Sequence, residues 1–247
     1  MTDFSSARVL VTGAASGIGA ATARLLAERG AKLILMDRDE GGLCAFDAPR
    51  IVGDVADEQL WRDADLSGLT HAVINAGIGE GGTPIAHLPF ADWRRVMGVN
   101  LDGAFLSLSA AMRAIKATGR GGGIVVTASV AGIKAEPGIA AYGASKAAVL
   151  HLARIAAKEG APDKIRVNAI APGGVETPIW SNLAFFKDLV AAHGSEEAAY
   201  TAMASMATPL ARYATPEEIA AQIAFLLSDV AGFNTGTTLV TDGGYSL

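Results

Sequence analysis

Tyr142 and Lys146 stand four residues apart in Tyr142-Gly143-Ala144-Ser145-Lys146. On a helix such residues share a face, so a phenol and an ammonium can enter one cleft. A free phenol titrates near ~10, and holding it as phenolate at neutral pH costs about 3–4 kcal/mol. One positive charge at ~4 Å in an effective dielectric of ~20 supplies about 4 kcal/mol. The pair could therefore trade a proton with a hydroxyl, and Ser129, ending an apolar run, could hold the oxygen concerned. The spacing alone also describes an ordinary amphipathic helix.

A second group lies near the N-terminus. Thr12-Gly13-Ala14-Ala15-Ser16-Gly17-Ile18-Gly19 follows one short apolar run and precedes a helical stretch. Its Gly13, Gly17 and Gly19 let a backbone turn sharply beneath a pyrophosphate, and the helix opening there presents unpaired N–H groups. Asp37 lies 18 residues beyond Gly19, close to the distance expected of an acid that hydrogen-bonds an adenine ribose. Such a charged hydrogen bond is worth roughly 1.5–3 kcal/mol. A 2′-phosphate would lose it and meet like charge, so the residues predict NAD over NADP. Arg38 is the opposing feature.

These groups need a scaffold, and the pattern supplies one. Short aliphatic runs at Val9–Val11, Leu33–Met36, Arg50–Val52, Ala72–Ile74, Ile124–Thr127, Ile165–Asn168 and Thr238–Val240 read as strands. Helical stretches fall at about 17–29, 90–117, 141–159 and 216–227, the last with Thr215 as its N-cap. The alternation predicts an α/β fold, a doubly wound parallel sheet covered on both faces. One domain is expected over residues 1–247. A long excursion at about 174–208, rich in apolar residues, would form a lid at the carboxyl edge of the sheet.

Composition narrows the classes. Hydrophobic residues make up 51% and charged residues 18%, so the chain is not disordered. A net charge of −5 disfavours nucleic acid and anionic membrane surfaces. Mean hydropathy of +0.33 comes from scattered aliphatics rather than a spanning run. Cys44 is the sole cysteine, which fits a reducing compartment. No signal peptide or metal cluster is expected, and the chain reads as soluble and cytoplasmic.

Taken in order, these residues resemble the short-chain dehydrogenase/reductases, single-domain enzymes with a Rossmann-type three-layer sandwich. The likeness spans essentially the whole chain. It rests on Thr12–Gly19, Asp54-Val55, Asn75-Ala76-Gly77, Asn100, Ser129, Tyr142-x-x-x-Lys146, Asn168 and Pro172-Gly173-x-x-x-Thr177. It implies that Tyr142 is the general acid/base. Lys146 would bind the nicotinamide ribose and lower the tyrosine pKa. Ser129 would orient the carbonyl or alcohol. Asn100 would kink its helix and hold a proton-relaying water. Gly13, Ser16, Gly17, Ile18, Gly19, Asp37, Arg38, Asp54 and Val55 would surround the dinucleotide's phosphates and adenosine. Asn75, Ala76 and Gly77 would pack against it, and Pro172, Gly173, Val175 and Thr177 would fix its carboxamide. NADP-preferring members often carry a base where Ser16 stands. Gly174 departs from the pattern and would loosen the lid's hinge.

The resemblance implies an oxidoreductase for secondary alcohols and ketones, with NAD as cofactor. Trp180, Leu183, Phe185 and Phe186 favour a mainly apolar substrate. The competing readings are a 3-oxoacyl-carrier-protein reductase, disfavoured by Asp37 and the net charge, and a small hydroxy-acid dehydrogenase anchored by Lys187 or Arg212. A cofactor-sensing regulator on the same fold would have no use for Ser129, Tyr142 and Lys146. A homotetramer is implied, paired through helices at about 101–117 and 143–159. Small Ala110, Ala111, Ala147 and Ala148 would permit close approach, and the C-terminal residues would lie near a neighbouring subunit.

Overall fold

A computed structural model describes residues 3–181 and 183–247. Among them one parallel sheet forms from β1 (Arg8–Thr12), β2 (Lys32–Asp37), β3 (Arg50–Val52), β4 (His71–Ile74), β5 (Gly122–Thr127), β6 (Ile165–Pro172) and β7 (Thr238–Thr241). The spatial order is β3-β2-β1-β4-β5-β6-β7. The helices are α1 (Gly17–Glu28), α2 (Glu40–Leu43), α3 (Glu58–Asp63), α4 (Phe90–Met97), α5 (Gly103–Thr118), α6 (Ala140–Gly160), α7 (Ala184–His193), α8 (Glu196–Ala207) and α9 (Pro216–Leu227). The expected doubly wound sheet is therefore present.

Alternation along each strand divides the core. Val9 and Val11 of β1 face the side covered by α1 and α9, with Leu33, Leu35, Leu26 and Ile223. Leu10 faces the other side with Ile34, Ala72, Ile124 and residues of α5 and α6. Period-2 side chains on a sheet buried from both sides require this.

The single helix expected over residues 90–117 is two helices. The chain widens into a π turn over Gly98–Asp102 between α4 and α5, turning the Asn100 side chain inward. Two short helices that the periodicity did not show, α2 and α3, are each capped by an aspartate side chain, Asp39 and Asp57. Thr215 caps α9 as expected, and Glu218 completes a capping box. The excursion at 174–208 folds into α7 and α8.

Other expectations are corrected. Ala110 and Ala111 are buried in this chain's own core, so they are not offered to a second copy. Ala147 is exposed and Ala148 half-buried. The C-terminal residues also make contacts within their own chain. The Tyr245 hydroxyl donates to Glu136 Oε1 at 2.6 Å, and Lys134 Nζ donates to the Tyr245 carbonyl at 3.0 Å. Among the described residues no helix is long and apolar enough to cross a membrane.

β1 and β4 adjoin where the strand order reverses, and their connections leave in opposite directions. Thr12, fully buried, joins the two ends. Its hydroxyl accepts from the N–H groups of Asn75 at 2.9 Å and Ala76 at 3.1 Å. Thr12→Val keeps the shape and strands both donors. Each costs about 1–3 kcal/mol, so the urea midpoint should fall by an amount equivalent to roughly 2–6 kcal/mol. A loss below about 0.5 kcal/mol would show that the hydroxyl does not tie these strands.

Candidate active site

The carboxyl ends of β1, β4, β5 and β6 carry most of the residues singled out by type and spacing. The turn after β1 brings Gly13, Ser16, Gly17, Ile18 and Gly19 together. A Cβ on Gly19 would collide with the Gly13 carbonyl oxygen, so only glycine allows the chain to fold back there. Gly17 has φ +52°, and a Cβ on it would lie 3.1 Å from Thr177 Cγ2, which places the turn directly against the start of the lid. Ser16 precedes α1 in extended conformation, and its hydroxyl makes no capping bond. The turn thus presents a free hydroxyl and the first-turn N–H groups of α1, a donor set suited to a pyrophosphate.

Asp37 ends β2 beside this turn. Its Oδ2 accepts from the Ala15 N–H at 3.0 Å, and its Oδ1 accepts from the Asp39 N–H at 3.0 Å. Each carboxylate oxygen keeps further acceptor capacity for ribose hydroxyls. Arg38 is exposed. Asp54 is also exposed, with Oδ1 accepting from the Ala56 N–H at 2.9 Å. Val55 is buried, its side chain packed toward Gly103 of α5, and its carbonyl accepts from Trp61 Nε1 at 2.8 Å. Its side chain therefore serves the core. The Asn75 amide donates to the Thr12 carbonyl at 3.2 Å, anchoring Asn75-Ala76-Gly77 against the turn. The residues present fit a nicotinamide dinucleotide.

Around Gly77 the second group converges. A Cβ on Gly77 would lie 3.3 Å from Asn100 Oδ1 and 3.4 Å from Lys146 Nζ. The Asn100 amide clamps the backbone of Ile78, accepting from its N–H at 2.8 Å and donating to its carbonyl at 3.0 Å. Asn100 also donates to Ser145 Oγ at 3.3 Å, and Ser145 donates to the Tyr142 carbonyl at 2.7 Å. Tyr142 and Lys146 share a face of α6 as the spacing predicts, with Nζ 5.7 Å from the centre of the phenol ring. Ser129, just past β5, is buried and faces the phenol.

The electrostatics differ from the expectation. Burial pushes the Tyr142 phenol up, and the Ser129 hydroxyl beside it only partly opposes this. Burial also pulls Lys146 down to about 8. Lys146 Nζ donates to the Thr127 carbonyl at 3.0 Å. In the chain by itself burial drives both groups toward their neutral forms.

Pro172 closes β6, and Gly173 follows, its N–H bonded to the Thr241 carbonyl at 2.9 Å. Val175 is buried, and its carbonyl accepts from Trp180 Nε1 at 2.8 Å. Gly174 does not loosen this segment. A Cβ there would run into the Tyr213 ring, which stacks on Trp180 at 5.8 Å. The lid has a small core of its own, Phe186 with Ala199, Tyr200 and Met203. Phe186 is thus spent inside the lid, whereas Phe185 is exposed. Ile179 and Leu183 approach Gly79, on the loop after β4. Of the two cations expected to hold a carboxylate, Arg212 pairs with Glu218 at 2.6 Å, and Lys187 is exposed.

Sequence reading missed Glu80. It is 5% exposed, and its Oε2 accepts from the Tyr142 N–H at 2.7 Å. A lone acid in a glycine-rich loop carries no spacing signal, and only the packing of that loop on α6 shows it. A cavity of about 430 Å³, lined by Thr70, His71, Arg120 and Arg166 among others, lies at the opposite end of the sheet, away from these groups.

Comparison with known proteins agrees with this arrangement. Residues 13–246 match the family described as enoyl-(acyl carrier protein) reductase. The chain is 39% identical over 260 residues to cis-4-hydroxycyclohexanecarboxylate dehydrogenase of Sinomonas cyclohexanicum, covering 98% of each. It is 34% identical over 258 residues to 2,5-dichloro-2,5-cyclohexadiene-1,4-diol dehydrogenase of Sphingobium indicum, covering 100% of this chain and 99% of the other. Among solved structures, a short-chain type dehydrogenase/reductase from Mycobacterium marinum superposes with a TM-score of 0.86 at 32% identity, covering 99% and 97%. Fold, site and relatives together place this chain in the short-chain dehydrogenase/reductase family.

Proposed function

We propose that this chain is an NAD-dependent dehydrogenase of one domain, residues 1–247, acting on secondary alcohols, or on the matching ketones, of mainly apolar and cyclic character. The observation that carries the reading is the convergence of Ser129, Tyr142, Lys146 and Asn100 beside the Gly13–Gly19 turn. The oxidised dinucleotide, when bound, accepts the hydride and brings positive charge to the cleft. Gly13, Ser16, Gly17, Ile18, Gly19, Asp37, Arg38, Asp54, the Val55 backbone, Asn75, Ala76 and Gly77 would line its phosphate and adenosine side. Pro172, Gly173, Val175 and Thr177 would line its nicotinamide side.

Ser129 Oγ holds the substrate oxygen. Tyr142 takes the hydroxyl proton during oxidation and returns it during reduction. Burial keeps the phenol protonated in the chain alone, the form that reduction needs. Oxidation requires positive charge in the cleft to favour the phenolate. Lys146 provides part of it, held in place by the Thr127 carbonyl. Asn100 fixes Ile78 and supports the turn bearing Tyr142, and a water relaying protons to Lys146 would sit near it.

Cyclic substrates are supported by the printed activities of both relatives and by Ile179 and Leu183 where the lid meets the cleft. The pairing of Arg212 with Glu218 weighs against a carboxylate as the main anchor. Cys44 as a free thiol fits work in the cytoplasm. Large apolar side chains are exposed on α5 and α6, Phe105 and Ile155, and elsewhere at Phe225, Phe233 and Val240, which supports a homo-oligomer, taken as a tetramer.

Four outcomes test the reading. With NAD, the purified chain should oxidise cycloalkanols and cyclic diols in preference to open-chain polyols and short hydroxy acids, followed by absorbance of the reduced cofactor. Tyr142→Phe should lower kcat by about 10²–10⁴-fold and leave NADH affinity unchanged; a variant that turns over normally rejects the mechanism. The kcat/KM with NAD should exceed that with NADP, and Asp37→Ser should reduce the preference by about 10–100-fold. An unmodified chain that prefers NADP would reverse the assignment. Sedimentation at micromolar concentration should give four times 25.2 kDa, and a monomer there would remove the tetramer.

A further inference from the structure

The loop after β4 reads Ile78-Gly79-Glu80-Gly81-Gly82. Its first three residues contact three different parts of the site. Ile78 is clamped by the Asn100 amide through both its N–H and its carbonyl. Gly79 borders the lid, where a Cβ would lie 3.5 Å from Ile179 and 3.8 Å from Leu183. Glu80 reaches α6, and its Oε2 accepts from the Tyr142 N–H at 2.7 Å.

That hydrogen bond answers a local deficit. The first N–H groups of a helix have no partner within it. The residue before α6 is Ile139, which has no side-chain acceptor and makes no capping bond. The acceptor for the third residue of the helix comes instead from a loop more than sixty residues earlier in the chain. Carboxylates are favoured at helix N-termini, but a cap made for stability alone is normally a short local polar residue at the surface. Glu80 is buried, and among the described residues no ion pair reaches it. Its other oxygen, Oε1, is buried without a hydrogen-bond partner. Burying a carboxylate with one oxygen unpaired is costly, so stability is a poor explanation for it.

We propose that Glu80 is a positioning residue for Tyr142, holding the first turn of α6 in register with the lid and with the Asn100 clamp. This rests on the functional reading above, in which Tyr142 carries the proton. The residue Glu80 holds is the same residue whose phenol must meet the substrate oxygen. The two residues just before it touch the other parts of the site, Gly79 the segment after β6 and Ile78 the π turn. Glu80 thereby transmits lid placement to the phenol without touching the reacting atoms.

Three variants separate the possibilities. Glu80→Ala should lower kcat about 10–100-fold, the scale of a small misplacement of a reacting group. KM for a cycloalkanol and Kd for NADH should stay within about threefold. Its Tm should stay within a few degrees of the unmodified chain, since losing the buried unpaired oxygen offsets leaving the Tyr142 N–H without its acceptor. Glu80→Gln keeps an acceptor for the Tyr142 N–H and should recover kcat to within about threefold of the unmodified chain. Full kcat in Glu80→Ala overturns the inference. So does a loss that accompanies falls in Tm and NADH affinity, or a Gln variant as impaired as the Ala variant. Tyr142→Phe in the same assays tells the two claims apart. If it is inert while Glu80→Ala is fully active, this inference alone fails. If Tyr142→Phe turns over normally, the functional reading fails and this inference with it.

Discussion

Two backbone N–H groups, those of Asn75 and Ala76, stand where β4 leaves the sheet, and both are satisfied by the single buried hydroxyl of Thr12. That arrangement decides where the site can be. It joins the ends of β1 and β4, the adjacent strands whose connections diverge, and so holds open the crevice where an α/β sheet admits a ligand. The Gly13–Gly19 turn is seated on it through the Asn75 amide. The loop that follows Gly77 reaches α6 from the same point. Both halves of the site hang from one hydroxyl because a parallel sheet delivers every strand end to one edge.

The cleft then sets the chemistry through burial more than through charge. Tyr142 is pushed up and Lys146 down by the same apolar surroundings. A phenol and an amine both driven toward neutrality are poor at stabilising a phenolate unaided. Under the proposed function, proton abstraction by Tyr142 would wait on positive charge arriving in the cleft, whereas proton donation would not. A site of this kind couples the protonation of its tyrosine to the charge beside it, with the low dielectric amplifying each unit of charge.

The lid divides its aromatic residues by task. Phe186, Tyr200 and Met203 make a core that keeps α7 and α8 together. Trp180 and Tyr213 stack where the segment leaves β6, and the missing Cβ of Gly174 makes room for that stack. Leu183 packs against that core and, with Ile179, approaches Gly79 on the loop after β4.

The amino-acid sequence by itself determined whatever depends on neighbours within a turn or a strand. The shared face of Tyr142 and Lys146 follows from 3.6 residues per turn. The glycine turn, the aliphatic strands and the Thr215 cap are likewise local rules, and they made the sheet and most of the site legible. Only the tertiary structure decided what comes from distant segments meeting. Glu80 on the Tyr142 N–H, the Asn100 clamp on Ile78, Phe186 turned inward while Phe185 faces out, and Ala110 and Ala111 in the core are all of this kind. The raised Tyr142 phenol is too, because desolvation sums over every atom packed around a group, and most of those atoms belong to residues remote in the chain.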